Sequence, residues 1–200
     1  MNLSSPDLDS VLGHFELNSQ LNYLGTYPLD EIPSITEVCT SLENALVERA
    51  CPLTGFIVNT DEFKDPGMHW FALAVVKSTG GQLRRQQHYD ILLIDPLGLE
   101  GLLLSELKPL NIWCKEALSR VGGGGELLQT LSYQVQPLHS NLCGAYCAYI
   151  LYHLKLYNWH LGDLTRGEFL PPHAISSGGG LSENDQRVAA WWYKRREAIV

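Results

Sequence analysis

Four side chains of this 200-residue chain could together do nucleophilic chemistry: Cys143, His69, Asp95 and Gln136. Thiol chemistry on a carbonyl needs a thiolate, a base that shares its proton, a group that orients the base, and donors for the oxyanion of the tetrahedral intermediate. An unperturbed thiol has a pKa of about 8.5 and must be shifted down to work near neutral pH. Cys143 stands in Ser140-Asn141-Leu142-Cys143-Gly144-Ala145-Tyr146-Cys147, where a loop turns into an apolar helix. A sulfur there meets the positive end of the helix dipole and amides without intrahelical acceptors. Gly144 is expected to leave room for a substrate backbone. His69 opens a strand after the polar loop 61–67, and Asp95 ends the next strand, before Pro96. If those strands pair antiparallel, the start of the first faces the end of the second. Asp95 could then accept from the imidazole, hold its tautomer and stabilise the imidazolium. Gln136 precedes Cys143 by seven positions, and its amide could donate to an oxyanion beside the Cys143 N–H.

Each of the four has a plainer reading when taken alone. Free cysteines are mostly small buried hydrophobes. A lone histidine is more often structural, an Asp before Pro starts turns, and a lone Gln before Pro usually means nothing. Their conjunction is what counts: His, Asp, Gln and Cys, each at the edge of an element, with Cys at a helix start. Cys147, one turn deeper than Cys143, reads as core.

These residues need elements to position them. Ser5-Pro6-Asp7 reads as a helix start, with Ser5 as the capping hydroxyl and the helix running to about Phe15. Tyr23 to Pro28 reads as extended chain and turn. Ile35, Val38, Cys39, Leu42 and Leu46 are spaced for a helix ending near Ala50. Strands are expected over 55–60, 69–76 and 89–95, the last two forming a hairpin across Thr79-Gly80-Gly81. Leu102 to Arg120 reads as helix, broken or restarted at Pro109. Four glycines, Gly122 to Gly125, read as a connector, and Tyr133 to Gln136 as a short strand ending at Pro137. An apolar helix should run from Cys143 to about Leu156. Residues 176–180 read as a loop. A last helix opens at Ser182, Glu183, Asn184 and Asp185 and closes on Lys194-Arg195-Arg196. The class implied is α+β. No repeat or linker divides residues 1–200, which are expected to form a single domain.

Composition narrows the function classes. The chain is 45% hydrophobic and 18% charged, with five Trp and nine Tyr, enough for a substantial core. Its formal net charge of −8 repels phosphate backbones, so DNA is not an expected partner. Arg84-Arg85 and Lys194-Arg195-Arg196 read as a solvated turn and a solvated helix end. Trp191-Trp192-Tyr193 reads as core packing. The five cysteines (39, 51, 114, 143 and 147) show neither a disulfide framework nor zinc-type spacing. No metal or cofactor is expected. The longest apolar run, near Ala145 to Leu151, is too short for a bilayer, and the N-terminal residues lack a signal-peptide pattern. The expectation is an intracellular, monomeric protein without a membrane segment.

At this point the residues resemble those of the adenovirus protease family, the adenains, over roughly residues 21–155. Tyr23-Leu24-Gly25-Thr26-Tyr27 is similar to that family's N-terminal segment. Ile57-Val58-Asn59-Thr60 with Gly67-Met68-His69-Trp70-Phe71-Ala72 resembles its histidine block. Asp95-Pro96-Leu97-Gly98 resembles its acid block, where adenains carry Glu. Val135-Gln136, Ser140 and Cys143-Gly144-Ala145-Tyr146-Cys147 match its Gln–Cys block. The resemblance implies a papain-like cysteine protease in permuted order, with a central mixed or antiparallel sheet flanked by helices. It implies Cys143 as nucleophile, His69 as base, Asp95 as orienting acid and Gln136 in the oxyanion hole. It also implies cleavage of viral structural precursors after small residues such as Gly-Gly, preceded by an aliphatic residue. A viral source would place the protein in the host nucleus or the virion.

SUMO-type deconjugating proteases share His-Trp, Asp, Gln and Cys-Gly. Their Gln-to-Cys interval is one residue shorter, and they lack Leu-Gly-Thr-Tyr, although Asp at position 95 leans towards them. Three features depart from the adenain pattern. Adenains are basic and stimulated by DNA, whereas this chain is acidic. The cysteine through which they join a viral activating peptide falls here at Gly125, and Cys114 sits on an expected helix, so a disulfide-linked activator is not supported. The interval from His to acid is longer, which places the extra residues in the hairpin loop Lys77 to His88.

Overall fold

Alternating side chains along three central strands divide the core into two layers. The computed structural model describes residues 4–19, 21–60, 69–78, 88–121, 128–171 and 183–198. In chain order the elements are α1 (Ser5–Ser19), β1 (Leu21–Pro28), α2 (Ile35–Arg49), β2 (Leu53–Asn59), β3 (Trp70–Ser78), β4 (His88–Ile94), α3 (Glu100–Glu106), α4 (Lys108–Val121), β5 (Leu128–Gln129), α5 (Cys143–His153), α6 (Leu161–Glu168) and α7 (Glu183–Glu197). Short 3-10 turns lie at Leu29–Glu31 and Leu154–Tyr157. The strands form a mixed sheet in the order β1-β2-β3-β4-β5. β2, β3 and β4 pair antiparallel, and the outer strands β1 and β5 pair parallel to their neighbours.

Successive side chains of a strand point to opposite faces. Trp70, Ala72, Ala74 and Val76 of β3 therefore join Leu92 and Ile94 of β4 beneath α1 and α5. Phe71, Leu73 and Val75 face the other way, against Val38 and Leu42 of α2 and Leu110 and Trp113 of α4. Both faces are covered, which is why these strands read as nearly unbroken apolar runs. α5 is buried from Cys143 to Leu151, because the sheet, α1 and α7 all pack on it. A helix enclosed on every side carries apolar residues all round.

Local chemistry sets most boundaries. α2 opens on a capping box: the Glu37 N–H donates to Ser34 Oγ, and the Ser34 N–H donates to Glu37 Oε2 at 2.7 Å. It closes on Ala50 in the left-handed region (φ 51°). α3 and α4 part at Leu107, and Pro109 falls in the first turn of α4, where its missing N–H costs nothing.

Several expectations are corrected. The residue capping α1 is Ser4, not Ser5: its N–H and hydroxyl both donate to Asp7 Oδ2, at 3.0 and 2.6 Å. α1 also runs on to Ser19. Residues 133–136 are not a strand. The Val135 and Gln136 amides both donate to the single carbonyl of Pro96, which is not the alternating pattern of a regular ladder, and the short edge strand is 128–129 instead. α6 was not expected: it buries only Leu161, Leu164 and Thr165, carries two glycines and lacks a capping side chain. The loops at 61–67, 79–81, 122–125 and 176–180, and Ser182, lie outside the described residues.

Candidate active site

His69 is the residue immediately before β3. Its carbonyl accepts the Thr60 N–H at 3.0 Å, which ties it to the end of β2. The register Ala72↔Ile94 carries the hairpin on towards His69 and Asp95. The expected neighbours meet: Nε2 of His69 lies 2.7 Å from Oδ1 of Asp95. The carboxyl is fully buried and the imidazole is 13% exposed.

Asp95 owes its orientation to the turn that follows it. The Leu97 N–H donates to Oδ1 at 3.0 Å and the Leu99 N–H to Oδ2 at 2.7 Å. The Gly98 N–H closes the turn on the Asp95 carbonyl at 3.0 Å. A carboxylate needs such donors when water is excluded. Gly98 sits at φ +69°, and a Cβ there would meet the Gln134 backbone at 3.3 Å. The acid's turn thus packs directly on the segment that carries Gln136, and its Pro96 carbonyl takes the Gln136 N–H at 3.0 Å.

Cys143 is the first residue of α5 and is 8% exposed. Its N–H has no acceptor within the helix. The Cys143 thiol lies close enough to the His69 imidazole to act on it. Asp95 occupies Nε2, which leaves Nδ1 as the ring nitrogen open to another partner. Burial alone would depress the pKa of His69. The bonds and negative charges of Asp95 and Cys143 outweigh it and push it up to about 9. An imidazole so placed stays protonated through neutral pH. Cys147 is fully buried, with its thiol towards the Trp70 and Ile94 carbonyls, and burial pushes its pKa well up. It is core, as expected.

Gln136 is 1% exposed. One N–H of its amide donates to the Ser140 carbonyl at 2.8 Å, and its Oε1 has no partner among the described residues. The amide carries a second N–H, a donor of the type an oxyanion would need. All four expected residues are therefore brought into one region. Gly144 is not where the sequence put it: a Cβ there would meet Leu8 of α1 at 3.2 Å, so this glycine lets α1 pack on α5. The sequence reading quoted Thr60, Pro96 and Gly98 only as members of the histidine and acid blocks, because their contribution is backbone geometry. Of the aromatic run on α7, Trp192 is fully buried, whereas Tyr193 is 51% exposed. Among the described residues, no three His, Cys, Asp or Glu side chains converge as a metal site, and no helix is long and apolar enough to cross a membrane.

No known family model matches the chain, and no curated protein matches it. Solved structures do. The central domain of an uncharacterized protein from Legionella pneumophila matches with a TM-score of 0.52 at 16% identity, over 100% of this chain and 99% of that one. ChlaDub1 from Chlamydia trachomatis matches at 0.55 and 13%, over 100% and 93%. An ASFV protease matches at 0.51 and 14%, over 86% of this chain and 64% of its own. At these identities the likeness is one of fold. The chain has the α+β architecture of papain-like cysteine proteases, a mixed five-stranded sheet flanked by helices.

Proposed function

We propose that this chain is a cysteine endopeptidase of the adenain type. The observation that carries the reading is the imidazole of His69, bonded to buried Asp95 at 2.7 Å and placed beside the thiol at the start of α5. The Cys143 thiolate attacks the scissile carbonyl carbon and forms a C–S bond. The oxyanion takes hydrogen bonds from the Cys143 N–H and the Gln136 amide. The His69 imidazolium returns its proton to the departing amine as the C–N bond breaks, leaving a thioester. His69 then takes a proton from water, whose oxygen displaces the sulfur. Asp95 holds the ring in orientation throughout. No metal or cofactor enters these steps.

The proposed substrate is a polypeptide cut after small residues such as Gly-Gly, with viral structural precursors as the candidates. The family resemblance and the shared fold with an ASFV protease support this. The proposed unit is a single-domain monomer acting without DNA or a disulfide-linked peptide, in a host nucleus or virion if the source is viral. Cys143→Ala is expected to abolish cleavage of an aliphatic-x-Gly-Gly peptide. If the variant cleaves as fast as wild type, Cys143 is not the nucleophile.

Asp rather than Glu at position 95 favours a second reading, an isopeptidase that removes a ubiquitin-like modifier. Suicide probes built on such modifiers separate the two: covalent capture by one probe, with no peptide cleavage, would favour the isopeptidase.

A further inference from the structure

Two consecutive residues of α7 reach the segment from Val135 to Cys143 although they lie more than 40 positions downstream. Asn184 and Asp185 are each 2% exposed. The Asn184 amide donates to the Val135 carbonyl at 2.9 Å and to the Leu170 carbonyl at 3.0 Å, and its Oδ1 accepts the Leu170 N–H at 3.0 Å. Oδ1 of Asp185 accepts the Tyr146 hydroxyl of α5 at 2.8 Å, and the Ser140 side chain lies beside the same carboxyl, opposing the upward push of burial on its pKa. Ser140 is where these links converge. Its carbonyl receives the Gln136 amide at 2.8 Å, and its Oγ accepts the Leu142 N–H at 3.3 Å.

We infer that Asn184 and Asp185 are positioning residues that hold the Gln136 amide in register with the start of α5. One end of the segment is held at Val135, next to Gln136. The other is held at Ser140, the residue whose carbonyl orients that amide, and Tyr146 ties the same carboxyl to the helix that bears Cys143. Residues 133–142 have no ladder of their own, so their geometry depends on such side-chain anchors. A buried carboxylate is costly unless bonded, and Tyr146 and Ser140, which lie beside it here, belong to α5 and to the oxyanion segment. A misplacement of about 1 Å in a donor costs on the order of 10²-fold in rate.

This rests on the endopeptidase reading, and the test separates the two. Asp185→Asn and the milder Ser140→Ala are compared with wild type on an aliphatic-x-Gly-Gly peptide. Iodoacetamide alkylation of Cys143 is followed in parallel, because it generates no oxyanion. The expected result is a fall in kcat of roughly 10- to 100-fold. KM and the alkylation rate should stay within about twofold. Ser140→Thr, which keeps the hydroxyl, should recover most of the loss. Unchanged kcat in both variants overturns the inference, and so does alkylation that falls in step with kcat. Amide hydrogen exchange over residues 135–142 decides the matter even if wild type cleaves no peptide. Faster exchange there in both variants, with the sheet unchanged, supports the anchoring; identical exchange overturns it.

Discussion

The two halves of the candidate site are built by different means. His69 and Asp95 stand at neighbouring ends of paired strands, where backbone register brings them to 2.7 Å. Gln136 and the approach to Cys143 lie in irregular chain, held by a carbonyl of the acid's turn and by Ser140. The first half inherits its precision from a ladder, and the second must be assembled from individual hydrogen bonds. The strand-borne half should therefore tolerate remote substitutions better. The loop-borne half should be the one that changes on them loosen.

Removing the imidazole should do the most damage. His69→Ala is expected to lower kcat/KM on the Gly-Gly peptide by roughly 10⁵-fold, since the base and nucleophile act as a unit; a loss under tenfold would show that the pairing carries no catalysis. Gln136→Ala should cost about 10²–10³-fold, almost wholly in kcat, as expected for one oxyanion donor. A pure KM effect would place Gln136 in substrate binding instead.

Asp95→Asn probes the electrostatics. With His69 raised to about 9, hydrolysis should hold through neutral pH and fall as the imidazolium deprotonates above about 9. Protonation of His69 also favours the fold: that contribution is complete below the unfolded value of about 6.5 and is lost as pH rises through about 9. Without the carboxylate, burial is less opposed, and the alkaline limb of kcat/KM should move to lower pH. A limb that stays in place would deny Asp95 its influence on the ring.

Gly98→Ala acts where the two halves touch. The Cβ would meet Gln134 at 3.3 Å in a backbone already at φ +69°. A loss of about 1–3 kcal/mol is expected by denaturant titration, with kcat falling too. Stability lost at unchanged kcat would uncouple the turn from Gln136. The smallest effect is expected at the α2 cap, far from both halves: Ser34→Ala should cost about 1 kcal/mol and leave kcat alone.

Much of this was legible in local patterns. The nearly unbroken apolar runs of β3 and α5 announce their elements, and Cys143 falls at the helix start in both sequence and structure. The His69–Asp95 contact followed from assuming an antiparallel hairpin, because pairing two strands determines which of their ends meet. Tyr133 to Gln136 misled: β-forming residues before Pro imitate a strand, while tertiary bonds to Pro96 claim their amides. Gly144 misled likewise, since a glycine beside a nucleophile looks reserved for substrate until Leu8 is seen against it.

Residue types, their order and the periodicity around them thus settled the class of fold and which four groups to examine, because hydrophobic spacing and cap chemistry act over a few residues. Where Gln136 points, and that Asn184 and Asp185 reach back to its segment, arose only when α7 packed against α5. Those bonds join residues dozens of positions apart, and no local spacing encodes the direction of a side chain whose partner lies on another element.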